Sequence, residues 1–204
     1  SYESAPIVIT VEGANIMTRS LIIFGQGAFR CHPYVLKEIQ AVEEEDLNES
    51  LDQFDQHFFD HIGYTFSNAS RSFVRGITNK FTDSPVLDET ENYYKEINRF
   101  SAAFALLTDV SMLVLGGTLK RKETISARLG DVLSSLYLAS TSLKYYEDLG
   151  DKEADLSLVH WTQKTLLHEA QENMHETLIN FPNKIIAVLL RCLIFPMGRN
   201  VSPP

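Results

Sequence analysis

The sequence is poor in cysteine. Cys31 and Cys192 are its only two, and they are far apart in 204 residues. So sparse a pair excludes both a disulfide-stapled domain and a thiolate zinc site, and it suits a reducing, cytoplasmic setting. Basic charge is also short, with 18 Lys and Arg against 27 Asp and Glu and a formal charge of −9. A phosphate backbone is gripped by a concentrated excess of Lys and Arg, so nucleic acid is excluded as a partner. The strongly apolar run Ile185 to Phe195 is only eleven residues long and is interrupted by Arg191. Crossing a hydrocarbon core takes ~20 residues, so this run does not span a membrane. The opening SYESAPIVITVEG lacks a Met, a basic n-region and an apolar h-region, so it is no signal peptide. A chain that opens this way is expected to begin inside a larger protein. What remains is a chain with 44% hydrophobic residues, long enough at ~150 residues per domain for one or two domains with a real core. Global disorder is excluded.

Apolar residues recur at steps of three and four almost everywhere after residue 15, and the only alternating stretch is Ile7, Ile9, Val11. The fold class expected is all-α, an antiparallel helical bundle behind a short extended segment. A first helical segment runs from Asn15 to Arg30, and His32-Pro33 starts another through PYVLKEIQAVEEE. Asn48 is placed to cap a long helix whose Leu51, Phe54, Phe58, Ile62, Thr65, Phe66, Ala69, Phe73 and Ile77 form one stripe. Thr82 to Pro85 breaks the pattern. Long helices are then expected over Asp88 to Leu115, ended by Gly116-Gly117, over Lys122 to Asp148, and over Asp155 to Ile179. A short last helix fits Asn183 to Phe195.

Charge is uneven. Between Lys37 and Asp60 one base faces nine acids, whereas Lys184, Arg191 and Arg199 close the chain without an acid after Asn183. The acidic run reads as a solvated face and loop, its alternative being a docking surface for a basic partner. The apolar end reads either as a buried bundle helix or as an interfacial helix whose bases meet anionic lipid headgroups.

Familiar site motifs are weak. GQGAFR at Gly25 to Arg30 lacks the third glycine of a dinucleotide fingerprint and sits in a helical pattern. His57 and His61 have the i, i+4 spacing that places two imidazoles on one metal, yet HFFDH is not HExxH and no third ligand is indicated. They read as hydrogen-bonded or exposed histidines beside a bundle face, and no metal is expected. His160, His168 and His175 read as helix-surface or boundary residues.

Glu12 differs, because it is a lone carboxylate followed by Gly13, in the break between the extended run and the first helix. Apolar Ile9, Val11 and Ile16 around it would raise its pKa, which suits a general base for a weakly acidic C–H proton. The plainer alternative is a helix N-terminal Glu facing the dipole.

The surrounding run bears on that choice. VEGANIMTRSLIIFGQGAFRCHPYV resembles the catalytic turn of the acyl-CoA dehydrogenases, and more closely that of the large bacterial enzymes of fatty-acid β-oxidation. RLGDVLSSLYLASTSLKYYED and FPNKIIAVLLRCLIFPMGR resemble parts of the extra helical region that those enzymes carry. The resemblance implies that residues 1–47 end the family's C-terminal helical domain and 48–204 form the extension. It implies that Glu12 removes the α-proton of a fatty acyl-CoA while the β-hydrogen passes to FAD, giving a trans-2-enoyl-CoA. Gly13 would let the backbone pass close to the thioester. Where the family often has a flavin-touching Thr and Gln, this chain has Ala14 and Ile16, leaving Asn15 as the substitute cofactor contact. The resemblance further implies flavin and CoA sites mainly on upstream domains, and an isolated piece that neither retains FAD nor turns over. The implied partners are an electron-transfer flavoprotein or other electron acceptor, a second copy in a homo-oligomer, and a peripheral membrane contact. The place of action would be the cytoplasm or the cytoplasmic face of the inner membrane.

Overall fold

A computed structural model describes residues 27–78, 84–149 and 153–203. Among them the secondary structure is entirely helical, so the chain is an all-α bundle. The front segment with Ile7 to Val11 and Glu12 lies outside the described residues.

Two short helices, α1 (Gly27–Cys31) and α2 (Val35–Val42), precede the long α3 (Leu47–Thr78). Next come α4 (Glu91–Leu115), a 3₁₀ segment over Gly116–Arg121, and α5 (Glu123–Leu149). The chain closes with α6 (Leu156–Ile179) and α7 (Lys184–Ile194). The long helices pack chiefly as sequence neighbours, α3 on α4 and α5 on α6, as short connections require. α7 closes the bundle against α3 and α6.

Boundaries follow local chemistry. Asp46 Oδ1 accepts from the amides of Asn48 (2.9 Å) and Glu49 (3.2 Å), so the cap of α3 is Asp46 and not Asn48. Helix α2 stops at Val42, leaving Glu43, Glu44, Glu45 and Asp46 of the acidic run as the connection to α3, while Glu49, Asp52, Asp55 and Asp60 lie on α3 itself. Gly116 ends α4 with φ +49°, a backbone that side chains disfavour. Asn183 Oδ1 caps α7 through the amides of Ile185 and Ile186.

The core runs along α4 through Phe100, Ala103 and Leu107, and joins Leu129 and Val132 of α5 to Met174 of α6 and Ile194 of α7. Apart from the small Ala103, each such side chain stabilises the fold by about 1.5–3 kcal/mol relative to exposure. Helix α4, extended to Leu119, is long and apolar enough to cross a membrane, but 56% of its most apolar window is buried in the bundle. It is the central core helix.

Helix α3 departs from the expected pattern. Its stripe is largely uncovered, with Phe66 70% exposed and Phe58, Ile62, Phe73 and Ile77 also open, while the buried residues are Asn68, Ser72 and Gly76. Small side chains explain the inversion, because they let neighbouring backbone come close. A Cβ at Gly76 would sit 2.8 Å from Pro196 Cγ. Ser72 Oγ donates to the Leu193 carbonyl at 3.2 Å, fixing α3 on α7.

The C-terminal residues are pinned by buried polar groups. Gln171 Nε2 donates to the Val201 carbonyl, its Oε1 accepts from the amides of Asn200 and Val201, and buried Arg99 donates to Asn200 Oδ1.

Candidate functional site

The densest polar cluster joins the segment that follows residue 26 to the bundle. Pro33 ends α1 and puts His32 in the bend before α2. There His32 Nδ1 accepts from the amides of Tyr34 (3.2 Å) and Val35 (3.1 Å), so the imidazole caps the first turn of α2. With its lone pair on Nδ1, the neutral ring carries its proton on Nε2. That N–H donates to Asp109 Oδ1 on α4 at 2.8 Å.

Asp109 is the centre. Its side chain is 5% exposed and that of His32 6%, so an unpaired carboxylate here would be costly. The Thr65 hydroxyl of α3 donates to Asp109 Oδ2 at 3.1 Å and also lies 3.0 Å from the His61 carbonyl. His61 Nδ1 donates to Glu38 Oε1 of α2 at 2.8 Å, while its Nε2 stands 4.0 Å from Asp109 Oδ2. Aromatic rings close the cluster: His61 stacks on Tyr34 at 5.9 Å and tilts toward His32 at 4.6 Å. Three helices and the bend at His32 are thus tied together around one carboxylate.

Two cavities flank the joint. One, of about 500 Å³, is lined by apolar residues such as Phe29, Phe58, Ile62 and Leu113, with Glu38, His61 and Asp109 at its edge. The other, of about 280 Å³, lies against Gly27, Cys31, His32 and Leu133.

Ligating atoms of His32, His61 and Asp109 lie within 4.8 Å of one another. A metal on His32 Nε2 would need a lone pair where the capping role of Nδ1 puts a proton. The cluster is therefore better suited to a hydrogen-bonded joint than to a cation.

A flavin dinucleotide does not fit here either. The pyrophosphate needs cations or clustered amide donors, whereas among the described residues both cavities are lined without Lys or Arg and carry carboxylates.

Glu12, Gly13 and Asn15 lie outside the described residues. The i, i+4 spacing of His57 and His61 does not define a site, because His61 finds its partners on other elements and His57 stays apart from the cluster. His160, His168 and His175 take half-buried boundary positions, as expected. Neither His32 nor Asp109 stands out in the sequence as a partner of His61. One signal was present: an acid inside the apolar stretch ALLTDVSMLVL needs a buried donor.

Fold and site together define an all-α bundle whose His32 bend and helix α2 are tied to α3 and α4, without a complete catalytic or cofactor centre among the described residues. The sequence matches the family described as acyl-CoA dehydrogenase, C-terminal, bacterial type, over residues 29–204. The chain belongs to that family. No solved structure matches the chain.

Proposed function

We propose that this chain supplies the catalytic base and the C-terminal helical extension of a flavin-dependent acyl-CoA dehydrogenase acting on fatty acyl-CoA in β-oxidation. The observation that carries the reading is continuity. The family match begins at residue 29, directly behind the run VEGANIMTRSLIIFGQGA that resembles the family's catalytic turn. The His32–Asp109 joint supports it, because it fastens the chain just after that run to the bundle core.

In this reading Glu12 removes the α-proton of the thioester, Gly13 allows close approach of the backbone to the ligand, and Asn15 stands at the cofactor side. FAD is held by other parts of the enzyme. Residues 1–47 complete the dehydrogenase helical domain and 48–204 are the extension. The electron acceptor is an electron-transfer flavoprotein or an equivalent, the enzyme is a homo-oligomer, and it works in the cytoplasm.

The test is Glu12→Gln in the full-length enzyme. Loss of a general base costs about 10²–10⁴-fold in rate. Steady-state turnover of a long-chain acyl-CoA should fall by that factor with the flavin absorbance retained, and near-normal turnover would remove Glu12 as the base.

One observation favours a second role, docking on the cytoplasmic face of a membrane. Helix α7 buries Ala187, Leu190 and Ile194 but exposes Ile185, Val188 and Leu189 next to exposed Lys184 and Arg191. An apolar face edged by bases is the pattern of an interfacial helix.

A further inference from the structure

We propose that the cleft between α3 and α4 on the Arg71 side is a binding site for a phosphate-bearing ligand. Asn68, Arg71 and Arg75 follow one another at i, i+3 and i+7 along α3, and Asn98 and Ser101 face them from α4. Small Ala102 and Ala105 leave room for a cleft of about 400 Å³ whose walls are mainly polar. This is the reverse of the apolar cavities elsewhere on the bundle.

The donors in it point to an anion. Arg71 and Arg75 stand four residues apart on one face of α3, so two guanidinium groups border the same cleft. Arg71 donates to Asn68 Oδ1 at 2.6 Å and Arg75 to the Asn98 carbonyl at 3.2 Å, so both guanidinium groups are held at the cleft wall. No carboxylate is among the described lining residues. Asn68 adds an independent observation. It is 1% exposed, it lines the cleft, and its Nδ2 has no acceptor among the described residues. A buried amide donor without an acceptor is rare and calls for a partner.

Guanidinium forks match the paired oxygens of phosphate. The cleft is much larger than one phosphate group, so the phosphate is expected to arrive attached to something. A soluble phosphomonoester and a lipid headgroup share this chemistry. The cleft involves neither Glu12 nor the α7 face, so binding there is independent of the dehydrogenase chemistry.

The experiment titrates inorganic phosphate into the 204-residue chain at constant ionic strength, following the side-chain signals of Arg71, Arg75 and Asn68 by NMR. Saturable shifts are expected, at least tenfold weaker in Arg71→Gln, with Arg71→Lys between the two. Arg71 is exposed, so this substitution leaves the fold intact. Shifts that chloride reproduces at equal ionic strength, or binding unchanged in Arg71→Gln, would overturn the proposal. Two further arms, coenzyme A and phosphatidic acid vesicles, distinguish the sources. Whichever binds more tightly than inorganic phosphate, and loses that advantage in Arg71→Gln, is the source; loss in neither arm overturns the site.

Discussion

Asp109 shows how one side chain organises a region. Its two oxygens take donors from His32 and Thr65, and His32 in turn caps α2, so the state of the carboxylate reaches the first turn of a helix on another element. In Asp109→Asn one of the two donors would face an NH₂ group instead of an oxygen. Leaving a buried donor unmet costs about 1–3 kcal/mol. Chemical denaturation should register that loss, and the amides of Tyr34 and Val35 should exchange faster with deuterium. An unchanged midpoint would mean that the joint contributes little. His175 makes a different residue-scale prediction. Burial, then the charges of Arg199 and Arg191, lowers its pKa from the ordinary 6.5, against a smaller opposing effect of Glu172 and Glu176. The unfolded chain therefore takes up this proton first as the pH falls. Stability from this group is complete above pH 6.5 and drains away below it, toward the folded pKa. Between about pH 7 and about pH 5 the unfolding midpoint of His175→Gln should fall less than that of the parent. Parallel curves would show that His175 is not a source of acid sensitivity.

At the scale of elements, the helices were legible where an apolar period and its punctuation agreed. Helix α7 was read as Asn183 to Phe195 and spans Lys184–Ile194, because Asn183 provides the cap and the apolar run is unbroken apart from Arg191. The covered side of α3 was not legible. Its apolar stripe announces an amphipathic helix but does not say which face a neighbour reaches, and Gly76 and Ser72 decide that through close approach to Pro196 and Leu193. Helix α7 carries the element-scale prediction. If its outer face meets lipid, the chain should co-sediment with vesicles rich in anionic lipid, and Ser at Ile185, Val188 and Leu189 together should abolish this. Unchanged lipid binding in that variant would remove the membrane role.

At the scale of the molecule, the all-α bundle followed from periodicity, while the polar joint did not. His32 and Asp109 are 77 positions apart, and a hydrogen bond over that distance depends on which helices pack. Likewise the phosphate-binding cleft needs two helices in register, so Arg71 alone carried no signal. The family was legible for another reason: the run from Glu12 to Tyr34 is specific in a way that composition is not, and the match over residues 29–204 agrees with it. The molecule is accordingly an all-α member of this family, with the base proposed to lie in the segment ahead of the match. The most direct measurement is anaerobic stopped-flow mixing of a fatty acyl-CoA with the full-length enzyme, following the flavin band. In Glu12→Gln the band should persist, bleaching about 10²–10⁴-fold more slowly than in the parent. Bleaching at the parent's rate would contradict the account.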